Sequence, residues 1–214
     1  LVELGQISEA LDSIEKSVIL APNNKEALNI RVGLLEAKIQ HDKLAREAEA
    51  HRIDGSSKIQ TELNFEGAIF SYTKAISLVK SNSIYFNNRA LAYLLAKKYD
   101  MAISDCNASL KIKENPKAYC RRACAYGELG KLDDALKDIE SAIFLSPSDK
   151  EALNIKIGLL EAKEQRDAKV RMHEVTEVYR DMTANIESMF AFNDSALSQY
   201  NAEDYITAVL TCNK

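Results

Sequence analysis

Small and large apolar residues alternate along the middle of the chain in a lattice that repeats at a nearly constant distance. Alanine stands at Ala68, Ala102 and Ala135, so successive copies lie 34 and 33 residues apart. Four positions after each alanine comes a core-type residue, and seven positions after it a small one. These residues are Tyr72, Cys106 and Ile139, then Ala75, Ser109 and Ala142. Spacings of three, four and seven residues lie on one helical face, so the pattern predicts a repeated amphipathic helix.

A second small residue precedes each of these alanines by twelve positions, at Ser56, Ala90 and Ala123. Small side chains at such positions let two helices approach closely. Each repeat is therefore predicted to consist of a helix, a short turn and a second helix. Two partial copies of the same lattice occur around Ala10 and around Ala208, the latter with Ala196 twelve positions before it.

A longer period lies above the short one. Residues 3–38 match residues 128–163 at a constant offset of 125, most visibly KEALNIRVGLLEAK against KEALNIKIGLLEAK. Asn23 with Glu26 and Ser148 with Glu151 have capping-box spacing, which predicts that each copy begins a connecting helix. The second connector is longer by 15 residues, about four helical turns. An apolar stripe in it predicts helix to about residue 190: Val175, Val178, Met182, Ile186 and Met189.

These patterns divide the chain into five predicted segments. Residues 1–22 end one repeat unit, and 23–48 form a capping and connecting helix. Residues 49–148 form a complete unit of three repeats, 149–190 a longer capping and connecting helix, and 191–214 the start of a following unit. The chain begins at Leu1 and stops inside a patterned segment, so we expect it to be a piece of a longer array. The number of units and the oligomeric state stay open.

With these positions in place, the chain resembles the tetratricopeptide repeat family over residues 3–22, 52–148 and 194–214. Aromatic residues occupy the family's positions in the first helices, and prolines stand where repeats meet or helices open. These residues are Phe86, Tyr93, Tyr119 and Tyr126, and Pro22, Pro116 and Pro147. The resemblance implies an all-α fold, a right-handed superhelical solenoid of antiparallel helix pairs joined here by long connecting helices. It also implies a module that binds extended peptides in a concave groove.

In such a stack, the first helix of each pair lines the concave groove, and its non-core residues face the ligand. In this sequence the groove positions are Ile84, Asn87, Asn88 and Leu91 in the second repeat, and Lys117, Cys120, Arg121 and Cys124 in the third. They are the candidate peptide-binding residues.

One co-chaperone subclass of the family holds the C-terminal carboxylate of heat-shock chaperones in this groove. Asn88, Lys117 and Arg121 match three of its five marks, and Lys and Arg at i and i+4 can donate to one carboxylate. The first repeat departs from the pattern, because Ile53 and Ser57 stand where the subclass has lysine and asparagine. Arg52 or Lys58 are the available substitutes for the missing lysine. The resemblance thus implies an incomplete carboxylate clamp.

Two alternatives stand beside the clamp. The groove binds other peptides and the chain is a scaffold that organises a multiprotein assembly, or Asn88 is structural and bridges backbone groups of neighbouring helices. Cys120 and Cys124 are spaced like half a metal site, but no further ligand is placed to complete it. We therefore expect small groove-lining residues there, with no metal and no cofactor.

Composition narrows the function class. The net charge is −4 and the basic residues are dispersed, which disfavours a nucleic-acid partner. No apolar run approaches the roughly 20 residues that span a bilayer. The four cysteines lie in helix-like segments of a core-forming chain, which is typical of a reducing compartment and predicts a cytoplasmic protein. The sequence has no phosphate loop, HExxH or Gly-x-Ser-x-Gly motif, so we do not expect an enzyme.

Overall fold

The computed structural model describes the backbone of residues 4–212 and the side chains of residues 5–189, 191 and 193. Within this range every regular element is an α-helix. The helices are α1 (Leu4–Leu20), α2 (Lys25–Glu62), α3 (Phe65–Leu78), α4 (Ser83–Leu95), α5 (Tyr99–Ile112), α6 (Pro116–Glu128), α7 (Leu132–Leu145) and α8 (Lys150–Cys212). None of the described helices has both the length and the apolar character needed to cross a bilayer. The all-α fold predicted from the lattice is confirmed.

The chain forms two compact units, Leu1–Leu159 and Leu160–Lys214. In the first unit the end of α2 pairs with α3, α4 pairs with α5, and α6 pairs with α7; these pairs are the first, second and third repeats. The predicted small positions are where these helices meet. All of them are fully buried except Ser56, which is half-buried: Ala68, Ala75, Ala90, Ala102, Ser109, Ala123, Ala135 and Ala142. The register deduced from the sequence is therefore the register of the packing.

The turn inside each repeat has the same backbone conformation. Leu63, Lys97 and Gly130 stand at equivalent positions after the first helix, with φ angles of 49°, 58° and 73°. In this left-handed region a side chain is disfavoured by roughly 1 kcal/mol or more, and glycine is not. Only the third repeat has glycine there. The tight helix pairing thus imposes the turn geometry even where the local residue disfavours it.

Buried ion pairs join the two helices of the second and third repeats. Arg89 donates from Nε and Nη2 to the two carboxylate oxygens of Asp105, at 2.7 and 2.8 Å. One repeat later, Arg122 binds Asp138 in the same bidentate way at 2.7 and 2.6 Å. Both aspartates are buried, so each carboxylate relies on its arginine for compensation. The sequence analysis missed these pairs.

In the first repeat, an aromatic ring takes the place of the buried ion pair between the two helices. Gly55 stands where the other repeats have arginine, and a Cβ there would lie 2.8 Å from the Tyr72 ring. The missing side chain makes room for this ring, and the Tyr72 hydroxyl lies 3.0 Å from the Ser56 hydroxyl. Ser71, in place of the aspartate, donates to Asp54. The glycine is therefore required by close approach.

The connecting helices start one residue later than predicted. Asn24 caps α2, its Oδ1 accepting from the amides of Glu26 and Ala27 at 3.0 and 3.3 Å. Asp149 caps α8 in the same way, accepting from the amides of Glu151 and Ala152. The predicted caps at Asn23 and Ser148 were wrong, because the helices begin at Lys25 and Lys150, and the residue directly before each helix reaches its first free amides. No reciprocal capping box forms.

Neither connector ends at a break. Helix α2 runs without interruption from the connector into the first helix of the first repeat, past the predicted boundary at residue 48. Helix α8 begins by packing on the third repeat, where Ala152 and Leu159 join the core around Ile139. The first part of α8 thus caps the stack.

In the second unit, α8 continues to Cys212. The predicted apolar stripe is helical, but its residues Val175, Val178, Met182, Ile186 and Met189 are about half exposed or more. The helix also runs through the segment between Ala196 and Ala208, where the repeat pattern predicted a turn. A single repeat cannot bury its apolar face without a neighbouring one, which accounts for the missing turn. The side chains from residue 194 onward lie outside the described residues.

The fully buried Ala102 predicts the cost of overpacking a helix contact. Ala102→Leu should lower the free energy of unfolding by about 1 to 3 kcal/mol, because the added methylenes force α5 away from its neighbours. Urea denaturation measures the change. The matched control is Met101→Leu, one residue earlier and half exposed, which should change stability by less than about 0.5 kcal/mol. Equal effects of the two substitutions would contradict the observed register.

The Arg89–Asp105 pair predicts a larger loss. Asp105→Asn leaves the largely enclosed Arg89 guanidinium without its counter-charge and should lower the free energy of unfolding by about 3 kcal/mol. The control is Glu140→Gln, which removes the acid of an exposed pair with Lys156, and which should cost about 1 kcal/mol or less. A similar, small effect at both sites would show that the buried pair does not stabilise the repeat.

Candidate functional site

A cleft of about 190 Å³ lies between α4, α6 and the start of α8. It is lined by several of the predicted binding residues: Leu91, Lys117, Cys120, Arg121 and Cys124. Its other walls are Leu94, Asp149, Glu151 and Ile155. The fold therefore brings the third-repeat positions together with one second-repeat position.

Lys117 supplies an exposed charge at the beginning of α6. Asn115 caps this helix by accepting from the Lys117 amide at 2.9 Å, and Pro116 occupies the first turn, where its missing N–H costs nothing. The cap fixes where α6 starts and hence where the Lys117 side chain leaves the helix. Its ammonium makes no ion pair with any described residue, so all three donors are available to a ligand.

Arg121 follows one helical turn later and is more enclosed. Its Nη1 donates to the backbone oxygen of Asn87 in the preceding repeat at 2.6 Å, which holds the guanidinium between α4 and α6. Burial lowers the pKa of Arg121 from its ordinary value, while the charge of Glu151 acts in the opposite direction. A guanidinium remains charged at neutral pH under these conditions. It keeps further N–H donors for a carboxylate.

The four predicted binding residues of the second repeat lie in different places. Asn87 is buried, and its side-chain oxygen has no hydrogen-bond partner, so it lies behind the groove surface rather than on it. Asn88 is half-buried and does not line the cleft. Ile84 is half exposed and lines a separate, wider depression with residues of α2 and the start of α6. Of this set, only Leu91 shares the cleft with Lys117 and Arg121.

The structural alternative for Asn88 is not observed. Its side chain makes no hydrogen bond to any described residue, and therefore does not bridge backbone groups of neighbouring helices. An amide without a partner in a half-buried position can donate to or accept from a ligand.

The two cysteines of the cleft have low reactivity. Burial raises the pKa of Cys120 to about 12, with Asp149 and Glu151 adding to the effect. Burial likewise raises the pKa of Cys124. Both thiols are therefore protonated at neutral pH, and only a thiolate is a strong nucleophile or metal ligand. No group of residues in the described part of the chain has the arrangement of a metal site.

The first-repeat positions lie exposed on α2, at Ile53 and Ser57. The basic residues next to them are already engaged. Arg52 binds both carboxylate oxygens of Glu49, and Lys58 binds Asp54 at 2.6 Å and the Ser71 hydroxyl at 3.0 Å. Neither side chain is available to replace the missing clamp lysine without breaking these contacts.

Sequence reasoning missed the acidic wall of the cleft. Asp149 and Glu151 lie far from Lys117 in the sequence, and the chain returns to this site only because α8 packs against the third repeat. The available signal was the connector itself, since a helix that caps a stack has to start beside its last groove position. The cleft is thus cationic on the α6 side and anionic on the α8 side.

Comparisons with known proteins agree with this geometry. Models of the tetratricopeptide repeat match residues 84–116 and 116–149. Rat serine/threonine-protein phosphatase 5 is 41% identical over 90 residues, which are 42% of this chain but only 18% of that protein. The chain therefore spans less than one fifth of this curated relative.

Solved structures cover the same region more completely. The first TPR domain of human RPAP3 is 31% identical with a TM-score of 0.56, over 58% of this chain and 98% of that chain. The first TPR of Spaghetti (RPAP3), bound to the HSP90 peptide SRMEEVD, is 32% identical with a TM-score of 0.54, over 56% of this chain and 95% of that chain. The helix pairs, the buried small-residue lattice and these matches together show that the chain belongs to the tetratricopeptide repeat family.

Proposed function

We propose that the chain is a protein-interaction module that holds the C-terminal carboxylate of an extended peptide between Lys117 and Arg121. The observation that carries this proposal is that both cations line one cleft, one of them exposed and unpaired and the other half-buried. Two donors on one helical face suit the two oxygens of a carboxylate, and charge-assisted hydrogen bonds are the strong ones. Asn88 does not line this cleft, but its amide has no partner among the described residues and is available to a part of the peptide that extends beyond the cleft.

The solved relatives support one class of partner. A structure with the same fold, 32% identical over the matched part, is bound to the HSP90 peptide SRMEEVD, which ends in Glu-Glu-Val-Asp. The same kind of ligand, a C-terminal tail of a heat-shock chaperone, suits a cleft with two cations. We therefore propose a co-chaperone or adaptor role for the chain, and the cytoplasm as its location.

A second candidate is a scaffold whose groove binds peptides without a terminal carboxylate. The departures at Ile53 and Ser57 favour it, because two of the expected polar contacts are missing and neither Arg52 nor Lys58 is available to replace them. Hydrogen bonds to charged groups contribute roughly 1.5 to 3 kcal/mol each, so two lost contacts weaken a clamp about a hundredfold or more. The two candidates differ in whether the peptide's free carboxylate matters.

We assign no catalytic activity, nucleic-acid partner or membrane contact to the chain. The cleft contains protonated thiols, two cations and two carboxylates, but Asp149 is engaged in the helix cap and no hydrogen bond among the described residues joins Glu151 to either thiol. The net charge of the chain is only −4, and its charged residues are of both signs. This suits binding to a peptide better than binding to the phosphate backbone of a nucleic acid.

The deciding experiment compares SRMEEVD with its C-terminal amide by isothermal titration calorimetry. The acid should bind about tenfold to a hundredfold more tightly, since amidation removes the charge that both cations contact. Lys117→Ala should weaken binding of the acid by about fivefold, the smaller effect of an exposed charge, and leave binding of the amide unchanged.

Controls separate binding from folding. Arg121→Ala should weaken binding of the free-acid peptide by about tenfold or more. Because the substitution also removes the hydrogen bond to Asn87, the thermal unfolding of this variant has to be measured as well as its affinity. Lys117 has no such bond, and Lys111→Ala is its matched control, an exposed lysine of α5 outside the cleft. If acid and amide bind equally to the wild type, the carboxylate clamp is wrong and the scaffold takes its place.

Introducing the lysine and asparagine that the clamp lacks should increase the affinity of the same site. Ile53→Lys combined with Ser57→Asn should strengthen binding of the acid by about tenfold or more, because both positions are exposed on α2 and accept the new side chains without repacking. Ile53→Gln with Ser57→Asn is the uncharged control. A gain that is equal for acid and amide, or no gain at all, would place these residues outside the binding surface.

A further inference from the structure

The binding cleft has an acidic side that a simple carboxylate clamp does not need. Asp149 and Glu151, from the start of α8, line the same small volume as Lys117 and Arg121. At this size, charges on opposite walls lie close enough to interact with the same bound residue. A ligand in the cleft therefore meets both signs of charge.

The two acids have different roles. Asp149 is committed to the helix cap, with its Oδ1 accepting from the amides of Glu151 and Ala152 at 2.9 and 3.5 Å. Glu151 is exposed, and its carboxylate makes no hydrogen bond or ion pair within the described residues. Its charge nevertheless acts on the cleft: it opposes the lowering of the pKa of Arg121 by burial, and it adds to the raising of the pKa of Cys120 and Cys124 by burial. Glu151 is thus a charge inside the site without a partner there.

The charge of Glu151 acts on the end of a peptide bound in the cleft. Because Glu151 lines the same small cleft as Lys117 and Arg121, the residue next to a terminal carboxylate held there lies within reach of its charge. A further acid at that point is repelled by a like charge, whereas a lysine or arginine gains an opposite charge. Like-charge juxtaposition at a binding site acts mainly as discrimination against the wrong ligand.

We propose that Glu151 is a specificity-determining residue of this cleft, and that the cleft selects C-terminal segments with a lysine or arginine next to the terminal residue over uniformly acidic tails. This inference rests on the proposed function, because it requires the carboxylate to bind at Lys117 and Arg121. On this inference a tail such as SRMEEVD still binds, but more weakly than a tail that carries a basic residue beside its terminal residue.

Glu26 is a matched control for Glu151. A glutamate in the second position of a helix also stabilises the helix dipole, which by itself explains its presence. Glu26 occupies the equivalent position in the first connector copy, in the same KEAL context and next to the cap Asn24. It lies outside the cleft. Glu26→Gln therefore removes the same charge from the same helix position without touching the site.

The experiment measures two peptides, SRMEEVD and SRMEEKD, each as free acid and as amide, against the wild type, Glu151→Gln and Glu26→Gln. The wild type should prefer the lysine peptide. Glu151→Gln should strengthen binding of SRMEEVD and weaken binding of SRMEEKD, each by about twofold to fivefold, so that the preference disappears or reverses. Glu26→Gln should leave both affinities unchanged, and thermal unfolding shows whether the two variants lose helix stability equally.

The outcomes separate the two claims. If acids bind more tightly than amides but Glu151→Gln changes both acid peptides by the same factor, or changes neither, the specificity role is overturned while the clamp stands. If Glu26→Gln has the same effect on the preference as Glu151→Gln, the effect is a general one of net charge and the inference is again overturned. If acids and amides bind equally throughout, the clamp fails, and the role of Glu151 fails with it.

Discussion

The close approach of paired helices at fully buried alanine positions is the constraint on which the rest of the first unit depends. Where Ala68, Ala102 and Ala135 meet the preceding helix, any larger side chain would separate the pair. The short turn that joins the paired helices enters the left-handed region at Leu63 and Lys97, where a side chain is disfavoured. Packing between helices thus overrides local preference in the loops.

The same constraint creates the binding surface. Because each first helix is held by its small residues on one face, its opposite face is fixed in direction, and Lys117 and Arg121 leave α6 on that face. The buried Arg122–Asp138 pair sits beside Arg121 in the sequence but on the other side of the helix. Adjacent arginines therefore have different roles: one locks the repeat and the other, bonded to Asn87, reaches the cleft.

Periodicity was sufficient to predict the repeats, since spacings of 34 and 33 residues carry the packing register directly. It did not predict what depends on distances between side chains. The buried pairs such as Arg89–Asp105 were missed because arginine and aspartate are usually surface residues, and only the folded pairing of α4 with α5 buries them.

The candidate site was predicted in part for the same reason. Lys117, Cys120, Arg121 and Cys124 share one helix, so their spacing alone places them together. Asn87 was expected in the groove, but α6 covers it. Glu151 enters the cleft from a different helix, and neither its distance in sequence nor its own type signals that contact. Residues that meet only through tertiary packing are beyond what a one-dimensional pattern contains.

Helix α2 is at once the connector and the first helix of the first repeat, with no loop between the two parts. A loop absorbs an inserted residue, whereas a helix transmits it as a rotation of about 100° and a shift of about 1.5 Å. One residue added near the exposed Gln40 or Lys43 would thus turn α1 out of phase with the repeats that follow. Changes of about seven or eleven residues, close to whole numbers of turns, keep the phase. The orientation of α1 relative to the repeats therefore depends more on the length of this segment than on the identity of its exposed residues.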